Sequence, residues 1–266
     1  MVDPRGVPTD ARAGAAERRM PLRHLLELGY GIYAAAAIVV VALLFAPLVL
    51  LLPSLAWRRA AGRGAVRLGM ALAFVPVRIR GLQHLPAGPC IVVSNHASYL
   101  DGPLMTAALP GRFTFVVQHG AADWPLAGRV IRRMGVTFVN RASARDGANQ
   151  TRTLIRRLEQ GDSLVIFPEG TFDRPPGLLP FRRGAFLMAV HAGVAVVPAV
   201  IRGSRSVFGE GQRLLRPGAI DIEVFAPVVP GGDHRHAVQV LADESRRAIL
   251  AHCGEPDRGG PGASHD

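Results

Sequence analysis

Between Glu27 and Arg58 the chain carries no charged residue. The run Leu28 to Trp57 is long enough to cross the hydrocarbon core of a bilayer, which takes about 20 residues. It is too long and starts too late for a signal peptide, and no convincing cleavage site follows it. Pro47 and Pro53 would kink or end a helix inside the run. Arginines flank both ends, Arg12, Arg18, Arg19 and Arg23 before it and Arg58, Arg59, Arg63 and Arg67 after it, so charge does not set an orientation. The run therefore reads as a hydrophobic membrane helix or a shallow helical hairpin, with a buried core helix as the alternative. Arg59, Arg63 and Arg67 recur every fourth residue and share one helix face. Such a stripe would lie along anionic headgroups or simply face solvent. Residues 1–26 form a basic tail rich in Pro, Gly, Ala and Arg, expected to be disordered. Residues 27–76 form the membrane-associated segment.

From residue 77 the texture changes. Short apolar runs alternate with helical patterns, and the expected strands are 77–81, 90–95, 113–118, 136–140, 163–167, 194–201 and 220–226. Expected helices are 102–109, 124–134, 146–160, 181–192 and 235–252, with Gly161 as a helix stop. This alternation predicts an α/β domain over 77–253: a mostly buried, mixed sheet of about seven strands flanked by helices. The Gly-, Pro- and Asp-rich end, 254–266, is expected to be disordered.

Two of the apolar runs hand over to loops that can do chemistry. Ile91-Val92-Val93 leads into Asn95-His96-Ala97-Ser98-Tyr99-Leu100-Asp101. Positions five apart diverge by roughly 140° on a straight helix, so His96 and Asp101 meet only if the chain turns through Ala97-Ser98-Tyr99. Asp101 also reads as the N-cap of the helix begun by Gly102 and Pro103. If they meet, the carboxylate holds the imidazole in one tautomer, and the imidazole can take a proton from a hydroxyl. Leu164-Val165-Ile166 leads into Phe167-Pro168-Glu169-Gly170-Thr171. Strand ends of α/β sheets are where ligands bind, and here a carboxylate stands beside a glycine and a hydroxyl donor. Arg141 ends a strand, and Arg174, Arg182 and Arg183 form a second group. Guanidinium forks in such places can clamp a phosphate.

Charge narrows the partners. The net charge is +11 and the chain contains no lysine, so all its basic charge is arginine. A basic surface suits nucleic acid or an anionic membrane. Aromatic residues are only 6% and do not interleave with the basic ones, which with the apolar run favours the membrane and argues against nucleic acid. Cys90 and Cys253 form no disulfide framework, and Cys90 reads as a buried thiol.

These pieces together resemble the glycerolipid acyltransferase family, in particular bacterial 1-acylglycerol-3-phosphate acyltransferases. Four blocks occur in order: Asn95 to Asp101, with the family's His-x4-Asp pattern; Gly135 to Arg141; Phe167 to Thr171; and Val197-Pro198-Ala199-Val200-Ile201. Phe181-Arg182-Arg183-Gly184-Ala185 fits the basic-Gly-Ala segment after the third block. The resemblance spans roughly 77–228. It implies that His96 is a general base and Asp101 its orienting partner. Arg141 would bind the acceptor phosphate, Glu169 with Gly170 and Thr171 would hold the glycerol part, and Pro198 would help shape an acyl channel. The reaction implied is acyl transfer from acyl-CoA or acyl carrier protein to a lysophospholipid, most simply 1-acylglycerol-3-phosphate giving phosphatidic acid. No metal, cofactor or covalent acyl-enzyme is implied, and the expected site is the inner (cytoplasmic) membrane with the catalytic domain facing the cytoplasm. Two departures bear on the acceptor. Phe172 stands where the third block commonly continues with arginine, with Arg174 a possible substitute, and Gln118 replaces a common lysine.

Rival readings are an acyltransferase on another lyso-lipid, such as a lyso-ornithine lipid, a lipid hydrolase, and a non-catalytic lipid-binding protein. Gly161-Asp162-Ser163-Leu164 spells a short esterase signature, but at a helix stop, and no Gly-x-Ser-x-Gly elbow occurs.

Overall fold

In the computed structural model residues 22–118, 125–139 and 144–259 are described. The chain opens with a helical hairpin, α1 (Leu22–Leu51) and α2 (Leu55–Leu72). Strands and helices then alternate as β1 (Val77–Arg80), β2 (Cys90–Ser94), α3 (Asp101–Ala108), β3 (Phe113–Gln118), α4 (Ala127–Arg133), β4 (Thr137–Val139), α5 (Ala144–Glu159), β5 (Ser163–Ile166), α6 (Gly184–Ala192), β6 (Ala195–Arg202), α7 (Ser204–Phe208), β7 (Ile220–Val224) and α8 (His234–Cys253). All seven expected strands form. The short helix α7 was not anticipated: five residues are too few to show a period.

The strands make one sheet in the order β1-β7-β6-β2-β5-β3-β4. β7 runs antiparallel to β6, and the other neighbours are parallel, so the sheet is mixed. Successive side chains leave a strand on opposite faces. Cys90 and Val92 join Leu104, Met105, Met70 and Ala34 on one face. Ile91 and Val93 join Leu154, Leu158, Phe186 and Leu241 on the other. The fold thus has three layers, with the hairpin and α3 over one face of the sheet and α5, α6 and α8 over the other. Pro198 lies inside β6, a central strand, where proline is rare. Its carbonyl accepts from Phe225 N at 2.9 Å, just past the end of β7. Its nitrogen faces the same side, where the ladder is finishing, so little pairing is lost.

The α1 helix is long and apolar enough to cross a bilayer. It nevertheless docks along the body: Tyr30 OH donates to Ala73 O at 2.7 Å, a Cβ on Gly31 would sit 2.8 Å from Leu214, and Arg133 Nη2 donates to Leu50 O at 2.6 Å. Its other side exposes Leu25, Ile32, Val39, Val40, Leu43 and Leu44. The apolar run forms one long helix through Pro47, and the hairpin arises where that helix turns into α2 rather than inside the run. Its arginine stripe runs from buried to exposed: Arg59 turns inward, contrary to both readings made of the stripe, whereas Arg67 stays exposed. Arg59 is 8% exposed and donates to Met134 O, Gly111 O and Thr114 Oγ1 at 3.0, 2.9 and 2.5 Å. Arg67 donates twice to Ala107 O, at 3.0 and 2.7 Å. The fourfold spacing does place these residues on one face. That face meets the carbonyl ends of α3 and α4, which attract cations.

Two boundaries differ from expectation. The α1 helix begins at Leu22, inside the stretch read as tail. Residues 254–259, expected to be disordered, strap back onto the domain: Leu178 N donates to Pro256 O at 2.9 Å and Arg258 N to Leu178 O at 3.0 Å.

Candidate active site

The two chemical loops lie about seventy residues apart in sequence, and the sheet makes them neighbours. β2 and β5 pair in parallel with Val93 opposite Ile166, so both strands end at the same edge, and their loops emerge side by side. Such an edge, beyond the carboxyl ends of parallel strands, is the usual ligand site of α/β sheets.

The chain turns after β2, and His96 meets Asp101. His96 Nδ1 lies 2.9 Å from Asp101 Oδ2. Since a carboxylate only accepts, the imidazole donates its Nδ1–H there and Nε2 is left as the basic nitrogen. The same Oδ2 accepts Ala97 N at 2.6 Å and Ser98 N at 2.8 Å. Asp101 is 0% exposed. It was read as the cap of α3. Instead it is that helix's first residue, and its carboxylate reaches back to the preceding turn. Asn95 anchors the turn to β6: its Nδ2 donates to Ile201 O at 2.9 Å, and its Oδ1 accepts Ile201 N at 2.8 Å.

Glu169 enters from the β5 side. One carboxylate oxygen accepts the backbone N–H of His96 at 2.6 Å, and the other accepts Leu179 N at 2.7 Å. The side chain is 4% exposed. Burial pushes its carboxyl up to about 7, against the pull of the two amide donors, while the nearby Glu255 and Asp101 carboxylates raise it further. Gly170 makes the turn at φ +80, a conformation costly for any residue with a Cβ. Thr171 is exposed, with its hydroxyl 3.4 Å from Phe172 O. The strap supports this turn: Gly177 N donates to Glu255 Oε2 at 2.7 Å, next to Leu178 and Leu179.

Rings cover the imidazole. Phe167 stacks on His96 at 4.3 Å, and Phe172 packs at 4.5 Å, tilted by 59°. Tyr99 meets Phe172 edge-on at 4.9 Å and lies 5.7 Å from Phe208. Phe172 had been noted as a departure in sequence. Nothing in the sequence indicated that it would lie on the imidazole.

The structure therefore brings together His96, Asp101, Glu169 and Gly170. Thr171 borders them, and Arg174 lies farther out, its guanidinium beside Gly211. Arg141 falls outside the described residues. Sequence reasoning missed Arg205, which clamps Glu255 at 2.6 and 2.8 Å, because the two lie on a short helix and in the end segment. Ser163, of the esterase-like tetrapeptide, is buried at the start of β5 and accepts Cys90 N at 3.3 Å. Burial likewise pushes the Cys90 thiol up, away from reactivity.

Known proteins share this architecture. The family model described as Acyltransferase matches residues 76–202. Bovine (Bos taurus) 1-acyl-sn-glycerol-3-phosphate acyltransferase alpha is 34% identical over 178 residues, covering 66% of this chain and 62% of that protein. The chain thus spans less than two thirds of that relative. A lyso-ornithine lipid O-acyltransferase of Pseudomonas aeruginosa is 31% identical over 194 residues, covering 67% of this chain and 74% of that protein. The crystal structure of the 1-acyl-sn-glycerophosphate acyltransferase PlsC of Thermotoga maritima superposes with a TM-score of 0.69 over 85% of this chain and 97% of that one, at 23% identity, a likeness of fold. The family match begins one residue before β1, ends with β6 and contains both chemical loops. With a relative aligned over most of its length, it establishes that this chain belongs to the acyltransferase family.

Proposed function

We propose that the chain transfers an acyl group from an acyl thioester, acyl-CoA or acyl carrier protein, to the free hydroxyl of a lyso-lipid. The observation that carries this reading is the 2.9 Å hydrogen bond between His96 and the fully buried Asp101 at the shared end of β2 and β5. His96 Nε2 takes the hydroxyl proton as the oxygen attacks the thioester carbonyl carbon. The tetrahedral intermediate collapses, the C–S bond breaks, and the thiolate leaves with the proton returned by the imidazolium. Because the thioester is already activated, positioning and one base suffice, and no acyl-enzyme is needed. Phe167 and Phe172 keep water from the base, which favours transfer over hydrolysis of the thioester.

Arg141 and Arg174 bind the anionic part of the acceptor, and the Glu169-Gly170-Thr171 turn borders its backbone. Glu169 acts through the chain: with an amide on each oxygen, it fixes the peptide of His96. The first acceptor is 1-acylglycerol-3-phosphate, giving phosphatidic acid. A lyso-ornithine lipid is a second reading, favoured by the ring of Phe172 against the base and by the Pseudomonas relative's name. The exposed apolar side of the hairpin seats the enzyme on the inner, cytoplasmic membrane with the sheet on the cytoplasmic side.

The test is His96→Ala. Transfer, read by mass spectrometry of the lipid products, falls by about 10²–10⁴-fold, while expression and membrane attachment persist. Full activity in that variant removes the assignment.

A further inference from the structure

A cleft of about 480 Å³ opens between the first turns of α1 and the loop 209–216 that follows α7. It adjoins the site through two elements. Phe208, whose carbonyl takes the Ser98 hydroxyl at 2.6 Å, ends α7 and leads into the loop. Phe172, packed on His96, precedes Arg174 by two residues, and Arg174 lines the cleft. Apart from the Asp101 carboxylate, the side chains packed on His96 are the rings of Phe167 and Phe172, and the charged groups of this cleft lie one step farther out.

Its lining carries both signs. Arg174, Arg213 and Arg216 are exposed and make no ion pair among the described residues. Arg205, also in the wall, is already occupied by Glu255 and by Asp173 O at 2.6 Å. Glu210 likewise has no cationic partner among the described residues. Glu27 uses one oxygen for the exposed Arg23 at 3.0 Å and keeps the other. A phosphate monoester carries close to two negative charges at neutral pH. It would satisfy the arginines and be repelled by both carboxylates, since like charges brought together across an interface are costly. A headgroup with one anionic group and one ammonium answers both sets.

We propose that this cleft seats the headgroup of the acceptor lipid and selects a zwitterionic one. The anionic group lies against Arg174, Arg213 and Arg216, and a primary ammonium lies between Glu210 and Glu27. This rests on the lyso-lipid transfer reading and, of its two acceptors, favours the zwitterionic second over the phosphate monoester named first. The cleft lies beside the exposed apolar residues Leu25 and Leu26 of α1, so a lipid held by the hairpin's membrane side presents its headgroup there. An amino-acid headgroup, with a carboxylate, and a phosphoethanolamine headgroup, with a phosphodiester, share the required chemistry.

The experiment uses the full chain in mixed micelles with both acyl-CoA and acyl-(acyl carrier protein) as donors and three acceptors: lyso-ornithine lipid, lysophosphatidylethanolamine and 1-acylglycerol-3-phosphate. Glu210→Gln raises KM for the two zwitterionic acceptors about tenfold, the value of one charged contact, and lowers it for the phosphate monoester. Arg213→Glu raises KM for all three. Preference for the ornithine acceptor assigns the anionic group as a carboxylate, and the reverse preference assigns a phosphodiester; either supports the cleft. Micelle-binding titrations of the same lipids, which need no turnover, run alongside, with thermal midpoints as the folding control. Acylation with a KM that Glu210→Gln leaves alone, or moves equally for all three acceptors, overturns the cleft and keeps the transfer reading. No acylation by the unmodified chain, but binding that still depends on Glu210, overturns the transfer reading and keeps the cleft.

Discussion

Arg59 on α2 and Arg213 beside the cleft differ in what their guanidinium groups meet. Arg59 is 8% exposed, and its donors are taken by two carbonyls and a hydroxyl. Arg213 is exposed and has no ion pair among the described residues. A cation with a buried partner on each of its three nitrogens helps hold the fold together, whereas a cation with open donors is available to a ligand. Carboxylates divide the same way, with Glu169 saturated by two amides and Glu210 open.

The largest test of that division is Arg59→Leu. It leaves the carbonyls of Met134 and Gly111 facing a buried apolar side chain, and unfolding in urea should show a loss of about 3–5 kcal/mol. A loss below 1 kcal/mol would mean the buried contacts add little. Glu169 comes next, through pH. Its carboxyl titrates at about 7 in the folded chain against 4.5 ordinarily, so folding favours the protonated form. That contribution is fully present below about 4.5 and is lost as pH rises through about 7, for a total of about 3 kcal/mol. Urea titrations from pH 4 to 8 should show the stability difference between the unmodified chain and Glu169→Gln falling by that amount, and a flat difference would sink the assignment. Arg67→Ala removes two donors to the single carbonyl of Ala107 and should cost about 1–2 kcal/mol. Arg213→Ala should move stability by less than about 0.5 kcal/mol, yet raise the acceptor KM. A stability effect there as large as that of Arg67→Ala would erase the distinction.

Much of the fold was legible because apolar runs bounded by turns mark buried strands. Cys90 to Ser94 and Ser163 to Ile166 are examples. Their adjacency was not legible, since pairing across about seventy residues depends on how the crossovers pack. The His-x4-Asp spacing suggested a base and its partner, and the turn through Ala97 and Ser98 makes the pair real. Spacing also showed that Arg59, Arg63 and Arg67 share a face, but not that this face would meet carbonyls. The cleft left no local signal: Glu27, Arg174 and Arg213 come from three distant segments that only the packed layers assemble.

The strap formed by residues 254–258 has a consequence for the timing of synthesis. Pro256 O receives Leu178 N and Glu255 receives Gly177 N, next to the Leu179 amide that Glu169 grips, and Glu169 in turn grips the peptide of His96. A nascent polypeptide thus holds the strands that carry His96 and Glu169 well before it holds the brace. The brace is made 78 residues after the turn it supports, and a product clipped or stalled between the two would display the correct architecture around a slack imidazole.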